Sequence, residues 1–438
     1  TMNASRCAVL GLSMSLATLA SAQETPARLD TASLFTLQTY ARIHDPRLRQ
    51  VELLKSQSDL RDATIRTDRL PIFQLETQAQ YQSAVAEFPG TLPGGARIPR
   101  PSHDTYDARL NAQVKVYDGT VTPRRAVEEA QLAESRARVV TSVYAILQQV
   151  NDAFFAVLRA EAQAADVETT ITNLEAQIRL SATRVREGTA LPSEENILRA
   201  EVLRRRQNIA ELTASKRAAL AVLADLTGQS LDSTAHFTAP DLSLDVARAR
   251  EALSTQRARP EFAQFQATRE VIAKQRDLRI AQDRPRVSVY GKYGYGRPGL
   301  NPLNTGFTTY WLGGIQSQWT PWNWNTTHRD REVLELQRRI NETEEQAFAQ
   351  ALQRATRQDL ETIDRVEKQL ADDDKIIALR ESIAAEANAR FTESVITSAE
   401  LVDRQTDVLS ARLTRSVHRV ELAQARARLL TTLGIETR

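Results

Sequence analysis

The stretch Phe73-Gln74-Leu75-Glu76-Thr77-Gln78-Ala79-Gln80-Tyr81-Gln82 alternates without a break between apolar or small side chains and long polar ones. Successive side chains of a strand point to opposite faces, so Phe73, Leu75, Thr77, Ala79 and Tyr81 share one side while the Gln and Glu side chains share the other. Tyr106, Ala108, Leu110, Ala112, Val114 and Val116, set against Asp107, Arg109, Asn111, Gln113 and Lys115, repeat the division. Each run has about ten residues, the length a tilted strand needs to cross a bilayer. Alternation alone also fits a small soluble sandwich with one wet face, so the rest of the chain must decide.

Moving outward, the pattern returns. Val287, Val289, Gly291, Tyr293 and Tyr295 share a face, and Trp311, Ile315 and Trp319 lie on the facing strand, with Trp322 and Trp324 just beyond. All 4 tryptophans fall in this stretch, which reads as an interfacial aromatic girdle at one edge of an apolar band. The whole chain is duplicated. Asp45-Pro46-Arg47-Leu48 recurs as Arg259-Pro260-Glu261-Phe262 and Leu70-Pro71 as Arg284-Pro285, so both prolines are displaced by 214 positions. Arg184, Glu194, Val202, Leu203, Arg206, Leu223 and Gly228 recur as Arg390, Glu400, Val408, Leu409, Arg412, Leu429 and Gly434, displaced by 206. The offset changes where the first copy has the longer hairpin loop.

Between the strands the sequence is helical. Residues 121–186 contain one proline, Pro123, near the start where a helix tolerates it, within a sustained run of Ala, Leu, Val, Glu, Arg and Gln. A helix of about 65 residues is roughly 100 Å long, and no single compact domain buries such a rod. The returning helix shows a seam of Leu198, Val202, Ile209, Leu212, Ala219, Leu223 and Leu226, spaced by threes, fours and sevens. The expected organisation is a secretory signal (1–22), a first repeat (23–228), a connector (229–245) and a second repeat (246–438). The first repeat holds strands at about 72–83 and 105–117 and long helices at about 121–186 and 193–226. The second holds strands at about 286–296 and 308–320 and long helices at about 327–391 and 398–432. The signal is read from Arg6, the short apolar run Cys7 to Leu19 and the small-residue site Ala20-Ser21-Ala22.

Several function classes drop out. The 57 basic and 55 acidic side chains nearly cancel, so no global field draws the protein to nucleic acid. The single Cys lies inside the expected signal, and the 5 histidines are scattered without ligand spacing, so no metal site, cofactor site or catalytic residue is expected. Gly291, Gly294, Gly296 and Gly299 interrupt a Tyr-rich strand, and neither they nor Gly90, Gly94 and Gly95 precede Lys-Ser or Lys-Thr, so no phosphate loop is signalled. A conduit, a periplasmic adaptor and a soluble coiled-coil scaffold remain. An adaptor carries one unduplicated hairpin, and a scaffold lacks both the signal and the lipid-facing alternation; signal, duplication and strand pattern together favour the conduit.

Two hairpins give four strands, too few to close around a lumen, so closure requires several chains. Only a closed barrel satisfies strand hydrogen bonds in lipid. Gln74, Glu76, Gln78, Gln80, Asp107, Arg109 and Asn111 are then the candidate lining of a water-filled bore, and Phe73, Tyr81, Trp311 and Trp319 the candidate lipid-facing or girdle residues.

Several strings resemble the TolC-like outer-membrane efflux family over nearly the whole mature chain. They are His44-Asp45-Pro46, Arg259-Pro260-Glu261, Val116-Tyr117-Asp118-Gly119, Arg186-Glu187-Gly188-Thr189, Thr320-Pro321-Trp322-Asn323, Arg390 through Thr397, and Leu433-Gly434. The resemblance implies a mainly α chain with a small membrane β part. Its duplicated helix-strand-strand-helix-helix units build a trimeric α/β-barrel, a twelve-stranded outer-membrane barrel continued by a long periplasmic coiled-coil tunnel. It further implies a homotrimer in outer-membrane lipid, a periplasmic adaptor (membrane fusion) protein, and an inner-membrane transporter of ABC or proton-driven type. The role implied is a passive duct for efflux or type I secretion, not an enzyme. By the same resemblance Gly188, Thr189, Ser394 and Val395 form the adaptor-docking tips, and Glu400 and Asp403 ring the periplasmic aperture. Arg184 and Arg390 precede equivalent turns and are expected to pair with acidic groups there. Ser394 stands where the family pattern favours Gly, the residue that reaches positive φ at no steric cost.

Overall fold

The computed structural model describes residues 31–86, 100–232, 235–252, 258–302 and 304–435. The expected signal and the loop holding Gly90, Gly94 and Gly95 lie outside these. A short parallel pair, β1 (Thr31–Ala32) and β4 (His236–Phe237), ties the start of the described chain to the connector. The first copy then runs α1 (Leu34–His44), α2 (Leu48–Thr67), β2 (Ile72–Tyr81), β3 (Asp104–Tyr117), α3 (Val121–Tyr144), α4 (Ile146–Arg186) and α5 (Pro192–Thr227). The second runs α6 (Ser243–Ala252), α7 (Pro260–Gln282), β5 (Arg286–Arg297), β6 (Thr308–Gln318), α8 (Thr326–Thr392) and α9 (Ser398–Leu433).

The repeated proline motif starts the corresponding helices with its charges reversed. In the first copy the Asp45 carboxylate accepts the Arg47 main-chain N–H at 2.7 Å and its guanidinium at 2.8–3.1 Å, and that guanidinium holds the acid below the ordinary aspartate range. In the second copy Arg259 donates to Glu261 (Nε–Oε2 2.9 Å), with Pro260 at the first helical position, where its missing N–H costs nothing.

The four long strands form one antiparallel sheet in the order β2-β3-β5-β6. Its register makes the two faces continuous across both copies. One row reads Leu75, Leu110, Tyr293, Trp311; the next, on the opposite face, reads Glu76, Arg109, Gly294, Tyr310. Within one chain β2 is exposed throughout, Leu75 at 76% and Phe73 at 67%, so its apolar side has no cover from the protomer itself. The register also separates the tryptophans expected to form a girdle. Trp311 sits mid-sheet, whereas Trp319 falls just past the end of β6, with its indole N–H on the Asp283 carbonyl (3.2 Å), beside exposed Trp322 and Trp324.

Two helical layers hang from the sheet. Next to it the packing order is α2-α3-α7-α8; farther away it is α5-α4-α9-α8. Among the described residues α8 runs through both as one unbroken helix, its 67 residues spanning about 100 Å. The expected single helix 121–186 is interrupted at Ala145, although the Ala145 N–H still reaches the Thr141 carbonyl (3.2 Å). The interruption lies at the change of layer, where the rod leaves α2 and α7 and takes up α1, α5 and α9. There Tyr144 is pinned by its hydroxyl to the Thr431 carbonyl (2.6 Å) and covered by the Arg259 guanidinium at 4.9 Å. The main core gathers at this level around Leu34, Leu37, Phe154, Phe155, Leu223, Phe237 and Leu429, and a second cluster of Leu174, Leu198, Val202, Ala387, Phe391 and Leu401 lies near the helical turns.

Candidate functional site

Two regions collect the residues singled out from sequence: the polar sheet face and the paired helical turns at the opposite end. On the sheet, Arg109 of β3 donates to Glu76 of β2 (Nε–Oε2 3.0 Å, Nη2–Oε1 2.7 Å) and to Asp107 (Nη1–Oδ2 3.0 Å). Asn111 adds a bond to Glu76 at 3.0 Å, and Gln78 donates to Gln80 at 3.0 Å. The ladder continues to β6, where the Tyr310 hydroxyl donates to Asp107 (2.5 Å). Gln74 shares a cleft with Asn111, Gln113 and Lys292. Sequence reading missed Tyr310 and Lys292 as members of this face. The even-numbered positions of β5 and β6 held the signal, but the aromatic residues drew the reading to the other side.

The turns joining α4 to α5 and α8 to α9 close alike. Gly188 has φ 73° and Ser394 φ 60°, both left-handed. At the first turn Gly188 N–H reaches the Val185 carbonyl (3.2 Å) and Thr189 N–H the Arg184 carbonyl (2.9 Å). At the second, Ser394 N–H reaches Phe391 (3.0 Å) and Val395 N–H reaches Arg390 (2.8 Å). These paired bonds satisfy carbonyls that a helix end otherwise leaves open. Ser394 therefore adopts the tight turn that the family pattern assigns to Gly.

The two turns are stitched by charged side chains, and here the expected pairing is corrected. Arg184 donates to main-chain carbonyls at the end of α8, Phe391 at 2.7 Å and also Thr392, with its guanidinium 5.2 Å from the Phe391 ring centre. A cation at a helix C-terminus complements the partial negative charge of the open carbonyls. Arg390 pairs with an acid, Glu386, one turn back on its own helix (2.5 Å). In return Glu194 of α5 accepts the Ser398 N–H at the start of α9 (2.6 Å), where Thr397 also caps the Glu400 N–H (3.3 Å). Glu194 was visible only as a repeat match to Glu400. Between the turns lies a cleft of about 350 Å³ lined by Arg184, Glu194, Phe391 and Thr397 among others. Glu400 and Asp403 are exposed, on either side of fully buried Leu401, and among the described residues neither has an ion-pair partner within the chain.

The described fold is thus a four-stranded sheet, polar on one face and apolar on the other, open at both edges and prolonged by helical rods of about 100 Å. Residues 39–229 match the family described as outer membrane efflux protein. No curated protein matches the chain in sequence. Among solved structures the fold is similar to CusC, at 14% identity over 93% of each chain with a TM-score of 0.66. It is also similar to the outer membrane protein VceC of Vibrio cholerae, at 14% identity over 92% of this chain and 97% of that one (TM-score 0.64). The Campylobacter jejuni CmeC outer membrane channel is similar at 13% identity over 99% and 94% (TM-score 0.63). The chain thus resembles the outer membrane efflux proteins in sequence through most of its first copy and in fold over nearly its whole length.

Proposed function

We propose that this protein is one third of a passive export duct of the outer membrane. The observation that carries the reading is that the chain is open at matching edges at every level. The sheet ends in β2 and β6, the upper helical layer in α2 and α8, and the lower one in α5 and α8. The edge helices carry apolar side chains that the protomer leaves exposed: Leu53 and Leu60 on α2, Leu203 on α5, and Val333, Leu336, Ile340, Ile376, Leu379 and Ile383 on α8. On α8 these recur at helical spacing, as a stripe does that awaits a neighbouring helix. Three copies joined edge to edge give twelve strands, with the Glu76–Arg109–Asp107 face inside and the Leu75–Trp311 row against lipid.

The duct has no energy source of its own. A periplasmic adaptor meeting the turns at Gly188, Thr189, Ser394 and Val395 joins it to an inner-membrane transporter of ABC or proton-driven type. Support for docking there comes from Leu191 and Val395, apolar yet 68% and 66% exposed at the turns. Threefold symmetry brings three copies each of Glu400 and Asp403 together at the far end, and such a carboxylate ring favours cations. The test is cell fractionation with crosslinking, followed by planar-bilayer recording of the purified protein. An outer-membrane trimer that conducts, and whose cation preference falls in the Glu400→Gln/Asp403→Asn variant, is expected. A cytosolic dimer overturns the duct, and unchanged selectivity overturns the ring.

A further inference from the structure

The glycines of β5 and β6 divide by face. A Cβ added to Gly291 meets nothing within 4 Å, and one on Gly313 meets only a backbone oxygen at 3.8 Å; both lie on the apolar face. On the polar face the space is already taken. A Cβ on Gly294 would lie 2.5 Å from Cζ of Tyr310, one on Gly314 2.8 Å from the hydroxyl oxygen of Tyr290, and one on Gly296 2.7 Å from a carboxylate oxygen of Asp107. Real Cβ atoms do not approach so closely. The register explains the fit, since Tyr310 stands directly opposite Gly294 and Tyr290 directly opposite Gly314. Each tyrosine lies across the neighbouring strand in the groove its glycine leaves open, and Gly294 and Gly296 are buried in consequence, although Val289, Tyr293 and Tyr295 on the strand's other face are exposed. Tyr310 crosses β5 completely, and its hydroxyl reaches Asp107 on β3 (2.5 Å), which is bound in turn through Arg109 to Glu76 on β2.

We infer that these glycine slots set the bore of the strand barrel: they keep the rings of Tyr310 and Tyr290 flat in the wall instead of in the passage. This rests on the duct reading, in which the polar face lines the lumen. The class of solute follows from it. The acids Glu76 and Asp107 are matched by Arg109 and by Lys292, whose ammonium lies 5.9 Å from the Tyr290 ring centre. A wall with its charges paired and its rings stowed sorts bulky solutes at the strand end by size and not by sign, so that any preference for cations arises at the far carboxylate ring alone.

The experiment measures the width of the strand end independently of the far aperture. Polyethylene glycols of graded length are added only on the strand side of the purified, bilayer-inserted protein, and the longest polymer that enters is read from the conductance. In Gly294→Ala the new methyl evicts the Tyr310 ring, and the cut-off shifts to shorter polymers. Gly294→Ala/Tyr310→Ala restores it, and Gly291→Ala on the opposite face leaves it unchanged. An unchanged cut-off in an assembled Gly294→Ala protein overturns the inference. Should that variant fail to assemble, Tyr310→Ala decides alone, because removing a stowed ring leaves the cut-off in place, whereas a rise shows a ring that protrudes and overturns the inference. A wild type that assembles without conducting breaks the duct reading instead, so the two failures are separate.

Discussion

The two helical hairpins share a topology and are held together differently. In α4/α5 the seam is apolar: Phe154, Phe155, Val157, Leu174, Leu198, Leu220 and Leu223 are buried, and among the described residues the ion pairs across it are Glu161–Lys216 and Glu175–Arg206, each at 2.9 Å. Between α8 and α9 pairs of polar side chains, most of them ion pairs of arginine with a carboxylate, run the length of the contact. They include Asp359–Arg428 (3.0 Å), Arg365–Glu421 (2.6 Å), Glu367–Arg426 (2.8 Å), Asp373–His418 (2.6 Å), Asp374–Arg415 (2.6 Å), Arg380–Asp407 (2.7 Å) and Glu381–Arg412 (2.6 Å). Most of these side chains are two-fifths exposed or more, where a pair contributes about 0–1 kcal/mol and salt screens it. One duplicated unit thus yields a hairpin welded by burial and a hairpin zipped by charge. The same backbone can place stiffness in one copy and responsiveness to the medium in the other.

The comparison breaks most sharply at Phe155, which has no exposed surface. Phe155→Ala removes a ring from the main core and is expected to cost about 3–5 kcal/mol. Arg412→Ala, which removes one rung of the charged zipper, is expected to cost about 0–1 kcal/mol. Hydrogen exchange on the purified protein reads both, and equal losses of protection in the two hairpins would erase the distinction. The same measurement from 0.1 M to 1 M salt, where the Debye length falls from about 10 Å to about 3 Å, is expected to weaken α8/α9 and leave α4/α5 unmoved.

The zipper contains one rung that sharpens the comparison further. The Asp359 side chain is only 3% exposed, and burial outweighs the Arg428 guanidinium and the Thr432 hydroxyl to push its carboxyl above the ordinary aspartate range. A folded-state pKa above the unfolded one means that the neutral acid favours folding. The contribution is complete below the unfolded pKa and is lost as pH rises through the folded one. Asp359→Asn keeps the shape and drops the charge. It is expected to leave the melting temperature unchanged at low pH and to raise it at neutral pH, the difference from wild type opening as pH climbs out of the aspartate range. A variant less stable than wild type at neutral pH would mean that the Arg428 pair outweighs the burial penalty.

Much of this architecture was legible because it is written in local periods: the strands in a period of two, the rods in a period near 3.6, the duplication in two fixed offsets. What escaped depends on which residue faces which across the fold. The Tyr310–Gly294 fit needs the register between β5 and β6, which no single strand states. The depth of Trp311 needs the same information, so a cluster of four tryptophans read as one girdle although one of them lies mid-sheet. An arginine just before a turn reads as half of an ion pair, and nothing local reveals that the acceptors of Arg184 are carbonyls at the end of a helix more than 200 residues away. The interruption at Ala145 has no Gly or Pro to announce it, and alanine is the strongest helix former. It coincides with the change of neighbours, and Ala145 keeps helical dihedrals through it.

The smallest effect tests whether the two turns differ only in their residue. Gly188 and Ser394 occupy equivalent left-handed positions with the same pair of closing bonds, yet only one of them is glycine. A left-handed backbone costs a residue with a Cβ roughly 1–2 kcal/mol, and glycine escapes that cost while losing up to about 1 kcal/mol more chain entropy on folding. The two terms leave a net of about 1 kcal/mol or less, so Ser394→Gly is expected to raise protection of the second turn slightly and Gly188→Ser to lower that of the first by a similar amount. Equal and opposite shifts in exchange at Thr189 and Val395 would show that the stitching by Arg184 and Glu194 leaves each turn to follow its own backbone. If instead Ser394→Gly slows exchange at both turns together, those two side chains bind the tips into one cooperative unit, and the contrast between the welded and the zipped hairpin ends where they meet.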